Sequence, residues 1–192
     1  MVGGPGTVSA QGIVSGVRKA LFLDRDGVIN RSLVRDGRAF APVHAQDLEI
    51  LPGVPAALSR TRSAGFLNVV VTNQPDISTG RQSSAVLAQM HQRLARELSI
   101  DDIRVCVHTD ADSCACRKPR PGMLLEAARD LSIDLAASFV IGDRWCDIAA
   151  GQRAGCKCFF IDYGYAQKRP AQPYVLVNSL AEAASLLVCD QH

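Results

Sequence analysis

Four places along the chain carry side chains that could together move a phosphoryl group: Asp24-Arg25-Asp26-Gly27, Thr72-Asn73, Lys118 and Asp143. An aspartate is ionised at neutral pH and can attack phosphorus, but two anions repel, so a divalent cation must lie between them. Magnesium, a hard ion that prefers oxygen, suits a cluster of carboxylates, and Asp24 and Asp143 are its expected ligands. Asp26, two residues on, is placed to protonate the leaving oxygen and then to take a proton from the hydrolytic water. Thr72 and its neighbouring amides can donate to the phosphoryl oxygens, while Lys118 can neutralise their charge. Any one of these could simply cap a strand end. Their order and spacing together make a site.

A second cluster lies just before Lys118. Cys106-Val107-His108 and Cys114-Ala115-Cys116, five residues apart, supply three thiolates and an imidazole, a set that suits a closed, tetrahedral, structural zinc. With every valence filled by protein, that zinc would stiffen a loop and do no chemistry. The loop leads straight into Arg117 and Lys118, so fixing it would position both cations. Cys146, Cys156, Cys158 and Cys189 read as small core or surface residues. His44, His91 and His192 have no neighbours in sequence that suggest a ligand or a base.

The elements that must hold these residues alternate between strand and helix from residue 20 onward, the pattern of a parallel sheet covered on both faces. Apolar runs at 20–24, 66–71, 103–107, 138–142, 158–161 and 174–177 read as strands. Helical spacing of apolar residues predicts helices at 53–64, 83–98, 122–131, 145–154 and 180–187. In such a doubly wound sheet the carboxyl ends of the strands open on one crevice, and Asp24, Thr72 and Asp143 all fall at strand ends. Residues 18–192 are expected to form one domain behind a flexible tail at residues 1–17.

At this point a resemblance is visible. LFLDRDGVIN, VVVTNQ, CRKPRPGM and VIGDRWCDI, in that order, resemble the four motifs of the haloacid dehalogenase phosphatases. Within them the chain is most similar to the histidinol-phosphatase and heptose-bisphosphate-phosphatase group, which joins the DRDG form of the first motif to a zinc loop. The resemblance implies a Rossmann-like fold with a minimal cap, and a magnesium-dependent phosphoric monoester hydrolase that works through an aspartyl phosphate on Asp24. It implies that the Asp26 carbonyl joins Asp24 and Asp143 around magnesium, and that Thr72, Asn73 and Gln74 hold phosphate. Lys118 would stabilise the phosphoryl group, and Arg117 and Arg144 match positions that contact substrate in the heptose enzymes. The implied substrate is a sugar bisphosphate, first D-glycero-D-manno-heptose 1,7-bisphosphate with loss of its C7 phosphate. Histidinol phosphate is the alternative; the run Arg117-Lys118-Pro119-Arg120-Pro121-Gly122-Met123 favours the heptose enzymes.

Two departures stand out: Pro75-Asp76-Ile77 where the heptose enzymes continue Ser-Gly-Ile, and the poorly matching segment 31–43, where the family places a flap over the substrate. A non-catalytic binding protein on the same fold is the remote alternative, disfavoured because every catalytic position carries the expected residue. A net charge of +2 with no basic tract gives no reason to expect nucleic acid, and no apolar run is long enough for a bilayer. A cytoplasmic monomer is expected. Seven cysteines in that setting are not expected to form structural disulfides.

Overall fold

A computed structural model describes residues 17–189. Apart from Val17, the expected tail lies outside the described residues. The chain runs β1 (Lys19–Leu23), β2 (Leu33–Arg35), β3 (Arg38–Phe40), α1 (Val54–Ser63), β4 (Phe66–Asn73), α2 (Ser84–Glu97) and β5 (Asp102–Cys106). It continues through α3 (Gly122–Leu131), β6 (Phe139–Gly142), α4 (Trp145–Ala154), β7 (Lys157–Ile161), β8 (Val175–Val177) and α5 (Leu180–Cys189). Six of the strands form one sheet in the order β5-β4-β1-β6-β7-β8, and all their pairings are parallel.

Side chains alternate across that sheet, so each strand feeds two cores. Leu21, Leu23, Val70 and Ile141 face one side, under residues of α1, α2 and α5 such as Leu58, Leu94 and Leu187. Ala20, Phe22, Val69, Val71 and Val140 face the other, against Met123, Leu124 and Ala127 of α3 and Ile148 and Ala150 of α4. Burial on both faces explains why the strands read as continuous apolar runs, each large side chain contributing about 1.5–3 kcal/mol. The strand order reverses beside β1: the chain moves outward through β4 and β5, then returns to place β6 on the other side. A crevice opens at that reversal, above the ends of β1, β4 and β6.

The expected minimal cap takes the form of the antiparallel hairpin β2–β3, which occupies the segment that matched the family poorly. Its turn is clasped to the loop after β7 by a hydrogen bond from the Ala166 N–H to the Gly37 carbonyl at 2.8 Å. Among the described residues no helix is long and apolar enough to cross a membrane.

Candidate active site

β1 and β6 are neighbours, and their ends bring the first and last acidic motifs together. The Asp24 N–H donates to the Ile141 carbonyl at 3.0 Å, which registers the two strand ends. Gly27 turns the chain at φ 92°, and a Cβ there would lie 1.9 Å from Asp143 Oδ2, so the first motif's backbone packs directly on the Asp143 carboxylate. Gly142 plays a similar part beneath Asp147, where an added Cβ would lie 2.2 Å from the Asp147 Cβ. Asp147 sits in the first turn of α4, accepts the Arg144 N–H at 3.0 Å and complements the helix dipole.

Lys118 ties the centre together. Its Nζ lies 2.7 Å from Asp24 Oδ1 and 2.6 Å from Asp147 Oδ1, and it donates to the Val71 carbonyl at 2.7 Å. Those three partners use all three ammonium protons. Burial alone would weaken the hold of Lys118 on its proton, but Asp147 and Asp24 reverse that and raise its pKa above the usual lysine value.

The opposite side of the centre is short of donors. Asp24 Oδ2 and both oxygens of Asp143 are buried without a partner of good hydrogen-bond geometry; Arg144 reaches Asp24 and Asp143 only at 3.7 Å, and the Tyr165 hydroxyl is the other group that interacts with Asp143. Burial, and then the charge of Asp24, push Asp143 well above the usual carboxylate range; burial also raises Asp24, against the pull of Lys118. Oxygens of Asp24, Asp143 and Asp147 lie within 4.8 Å of one another. Converging, unpartnered carboxylate oxygens are what a hard divalent cation satisfies, so the residues present fit magnesium.

Asp26 has quite different surroundings. Its Oδ1 accepts from Arg25 Nε at 3.1 Å, Arg25 Nη2 at 2.9 Å and Asn30 Nδ2 at 2.9 Å, and its Oδ2 accepts from Gln74 Nε2 at 2.8 Å. Burial would raise its pKa, but Arg25, with the bonds from Asn30 and Gln74, outweighs burial and holds it below the usual carboxylate range. At rest Asp26 is an anion. The same Gln74 amide donates to Thr72 Oγ1 at 2.8 Å, leaving the Thr72 hydroxyl proton available to a ligand. The Asn73 side chain is occupied by the Lys118 backbone, donating to its carbonyl at 3.0 Å and accepting its N–H at 3.1 Å. Of the two amides expected beside phosphate, Gln74 thus also holds the Asp26 carboxylate and Asn73 the Lys118 backbone.

Comparison with known proteins agrees with this geometry. An HAD-hydrolase-like family model matches residues 115–183. The D-glycero-beta-D-manno-heptose-1,7-bisphosphate 7-phosphatase of Bordetella bronchiseptica is 38% identical over 160 residues, 80% of this chain and 86% of that one. A D-glycero-alpha-D-manno-heptose-1,7-bisphosphate 7-phosphatase of Photorhabdus laumondii is 32% identical over 182 residues, 88% of this chain and 96% of that one. The crystal structure of the D,D-heptose 1,7-bisphosphate phosphatase from B. bronchiseptica, complexed with magnesium and phosphate, superposes with a TM-score of 0.78 at 32% identity, covering 90% of this chain and 99% of that one. The chain belongs to the haloacid dehalogenase phosphatases, in their heptose-bisphosphate phosphatase group.

In this phosphatase, a phosphoric monoester hydrolase, the Cys3His residues do come together. Cys106 Sγ lies 3.6 Å from His108 Nδ1 and 3.7 Å from Cys114 Sγ; Cys116 Sγ lies 3.3 Å from Cys106, 3.4 Å from Cys114 and 3.3 Å from His108 Nδ1. A tetrahedral zinc with sulfur at about 2.3 Å requires ligand separations of about 3.7 Å, so this set fits it. Arg117 is fastened to the same loop, donating to Asp110 Oδ1 at 2.7 Å and to the His108 carbonyl at 3.1 Å. Thus one residue of the Arg117-Lys118 pair is held by the cysteine loop and the next by the aspartates. Of the cysteines read as core or surface residues, Cys156 and Cys158 are buried, Cys146 is half-buried and Cys189 is exposed.

Beside the acidic centre lies a cavity of about 250 Å³ lined by Gly27, Arg31, Ser32, Val34, Tyr163 and Tyr165 among others. Tyr163 and Tyr165 were not singled out in sequence, since they lie in the loop after β7, remote from every motif. Tyr163 donates its hydroxyl to the Gly27 carbonyl at 3.0 Å. Arg25 and His91 were likewise missed, though Arg25 stands inside the first motif.

Proposed function

We propose that the chain removes the C7 phosphate of D-glycero-D-manno-heptose 1,7-bisphosphate, using magnesium in the aspartate cluster and carrying one structural zinc on Cys106, His108, Cys114 and Cys116. The observation that carries this reading is the set of unpartnered oxygens on Asp24 and Asp143 facing one crevice, with Lys118 fixed beside them. The relatives' substrate supplies the sugar. The run Arg117 to Met123 and the positions of Arg117 and Arg144 support a second, negatively charged group on that sugar.

In this reading Asp24 attacks phosphorus, the ester P–O bond breaks, and its electron pair leaves on the sugar oxygen, which takes a proton from Asp26. The arriving phosphate is a like charge and raises the proton affinity of the otherwise ionised Asp26, which takes up the proton it donates from solvent as substrate binds. Water then attacks the phosphorus of the aspartyl phosphate and gives its proton to the Asp26 carboxylate; inorganic phosphate leaves and Asp24 is regenerated. Magnesium held by Asp24, Asp143 and the Asp26 carbonyl would supply the positive charge that lets two anions approach. Lys118 sets its positive charge beside the phosphoryl group, whose oxygens are held by Thr72 and the loop of Asn73 and Gln74. The departure at Asp76 is compatible with phosphate, because its carboxylate faces Arg81 at 3.8 Å.

The test compares kcat/KM for the heptose bisphosphate in both anomeric forms, for histidinol phosphate and for other sugar phosphates. The heptose bisphosphate should be fastest. Histidinol phosphate in first place would overturn the substrate while leaving the phosphatase standing.

A further inference from the structure

Arg25 is the largest fully buried side chain in the molecule as described, and its guanidinium sits against the residue that must move protons. Two of its nitrogens, Nε and Nη2, close on Asp26 Oδ1, and the third, Nη1, lies 3.2 Å from His91 Nε2 on α2. Guanidinium only donates, so the imidazole accepts, and His91 is suited to that: burial, with Arg25 next, lowers its pKa to about 4 and keeps it neutral. Asn30 adds a third donor to Oδ1. Oδ2 has one partner, the Gln74 amide, which also touches Thr72 Oγ1 and so lies on the phosphate side of the carboxylate. The two oxygens of Asp26 are therefore not equivalent. Three donors pin one, and the other keeps capacity for a proton.

We propose that Arg25, braced by His91, is a positioning residue that fixes Asp26 Oδ1 so that Oδ2 is the oxygen that transfers the proton. The inference rests on the reading of Asp26 as proton donor and adds which oxygen acts and what aims it. In the first half-reaction the Oδ2–H proton passes to the ester oxygen as the P–O bond breaks; in the second, Oδ2 takes a proton from water. Arg25 exchanges no proton. Its work is geometric, so its loss should matter most where the leaving oxygen most needs that proton.

A sugar alkoxide is a poor leaving group and needs protonation, whereas p-nitrophenolate departs without it. The experiment measures the single-turnover rate of phosphoenzyme formation in magnesium for both p-nitrophenyl phosphate and the fastest sugar phosphate of the comparison above. The enzymes are wild type, Asp26→Asn, Arg25→Gln, Arg25→Lys and His91→Ala. Arg25→Gln should slow formation from the sugar phosphate about tenfold or more and from p-nitrophenyl phosphate by less than about threefold, with Arg25→Lys between it and wild type. His91→Ala, at a half-buried position that the fold tolerates better, should show the same contrast in smaller size and serves if Arg25→Gln does not fold. Equal slowing of both substrates in every folded Arg25 and His91 variant, while Asp26→Asn remains selective, overturns this inference alone. An unselective Asp26→Asn removes the proton-donor reading and this inference with it.

Discussion

The aspartate cluster and the cysteine loop are both candidate metal centres, and they differ in what they leave open. In the aspartate cluster the carboxylates of Asp24 and Asp143 are almost completely buried, yet three of their oxygens have no partner of good hydrogen-bond geometry. In the cysteine loop four ligand atoms already touch one another, and Arg117 and Arg120 fasten the loop's carbonyls from outside. A site that binds a cation and still needs more is built for a ligand that comes and goes; a set that closes on itself is built to hold a shape. The contrast teaches that the two centres should fail differently.

The sharpest break comes from Asp24→Asn. It should lower kcat by at least about 10³-fold, since the amide cannot attack phosphorus. Zinc content and the thermal transition should stay close to wild type. Elemental analysis beside the rate assay checks both, and substantial turnover would remove Asp24 as nucleophile.

Gly27→Ala comes next. A Cβ at φ 92° would meet Asp143 Oδ2 at 1.9 Å, so the carboxylate must shift. Activity should fall about 10²-fold, with a higher magnesium requirement, because a ligand displaced by even about 1 Å costs that order. A magnesium titration of the rate reads it, and an unchanged requirement would mean that Asp143 is not a ligand.

Cys116→Ser strikes the other centre. Zinc should drop well below one per chain and activity by about tenfold, with the larger share in KM, because Lys118 keeps Asp24, Asp147 and Val71 as partners whatever the loop does. Full zinc in the variant, or loss of catalysis equal to that of Asp24→Asn, would erase the distinction between the two centres.

The smallest effect is on stability with pH. Asp24 and Asp143 have raised pKa values in the metal-free fold, so their contribution is present below the unfolded value and is lost as pH rises through the folded one. Magnesium replaces the protons and reverses that loss. The magnesium-induced rise in Tm should therefore be larger near pH 8 than near pH 5 by about 2–4 °C for each kcal/mol recovered. An equal or larger rise at the acidic end would contradict the carboxylate assignment.

Much of this contrast was legible in the sequence because its carriers are local. Strand runs buried on both faces, helices with 3.6-residue spacing and acids placed at strand ends all declare themselves within a few residues, and the C-x-H and C-x-C pairs do the same. What stayed hidden depends on long-range contact. Nothing local announces that Arg25 meets His91 of α2 across 66 residues, or that the Asn73 amide, expected beside phosphate, also pairs with the Lys118 backbone 45 residues on. The hairpin β2–β3 has three-residue strands with no apolar alternation to announce them. Asp147 is at once an acid in the first turn of α4, which sequence alone can suggest, and a partner of Lys118, which only the packed strands and loop bring to it.

The central claim is that Asp24 forms a covalent phosphoenzyme, and the most direct measurement is the stereochemical course at phosphorus. Hydrolysis of a sugar phosphorothioate made chiral at phosphorus with one heavy oxygen isotope, in water carrying the other heavy isotope, passes through two in-line displacements if Asp24 attacks first. The account predicts net retention of configuration in the released thiophosphate. Net inversion would mean that water attacks the substrate directly and would contradict it.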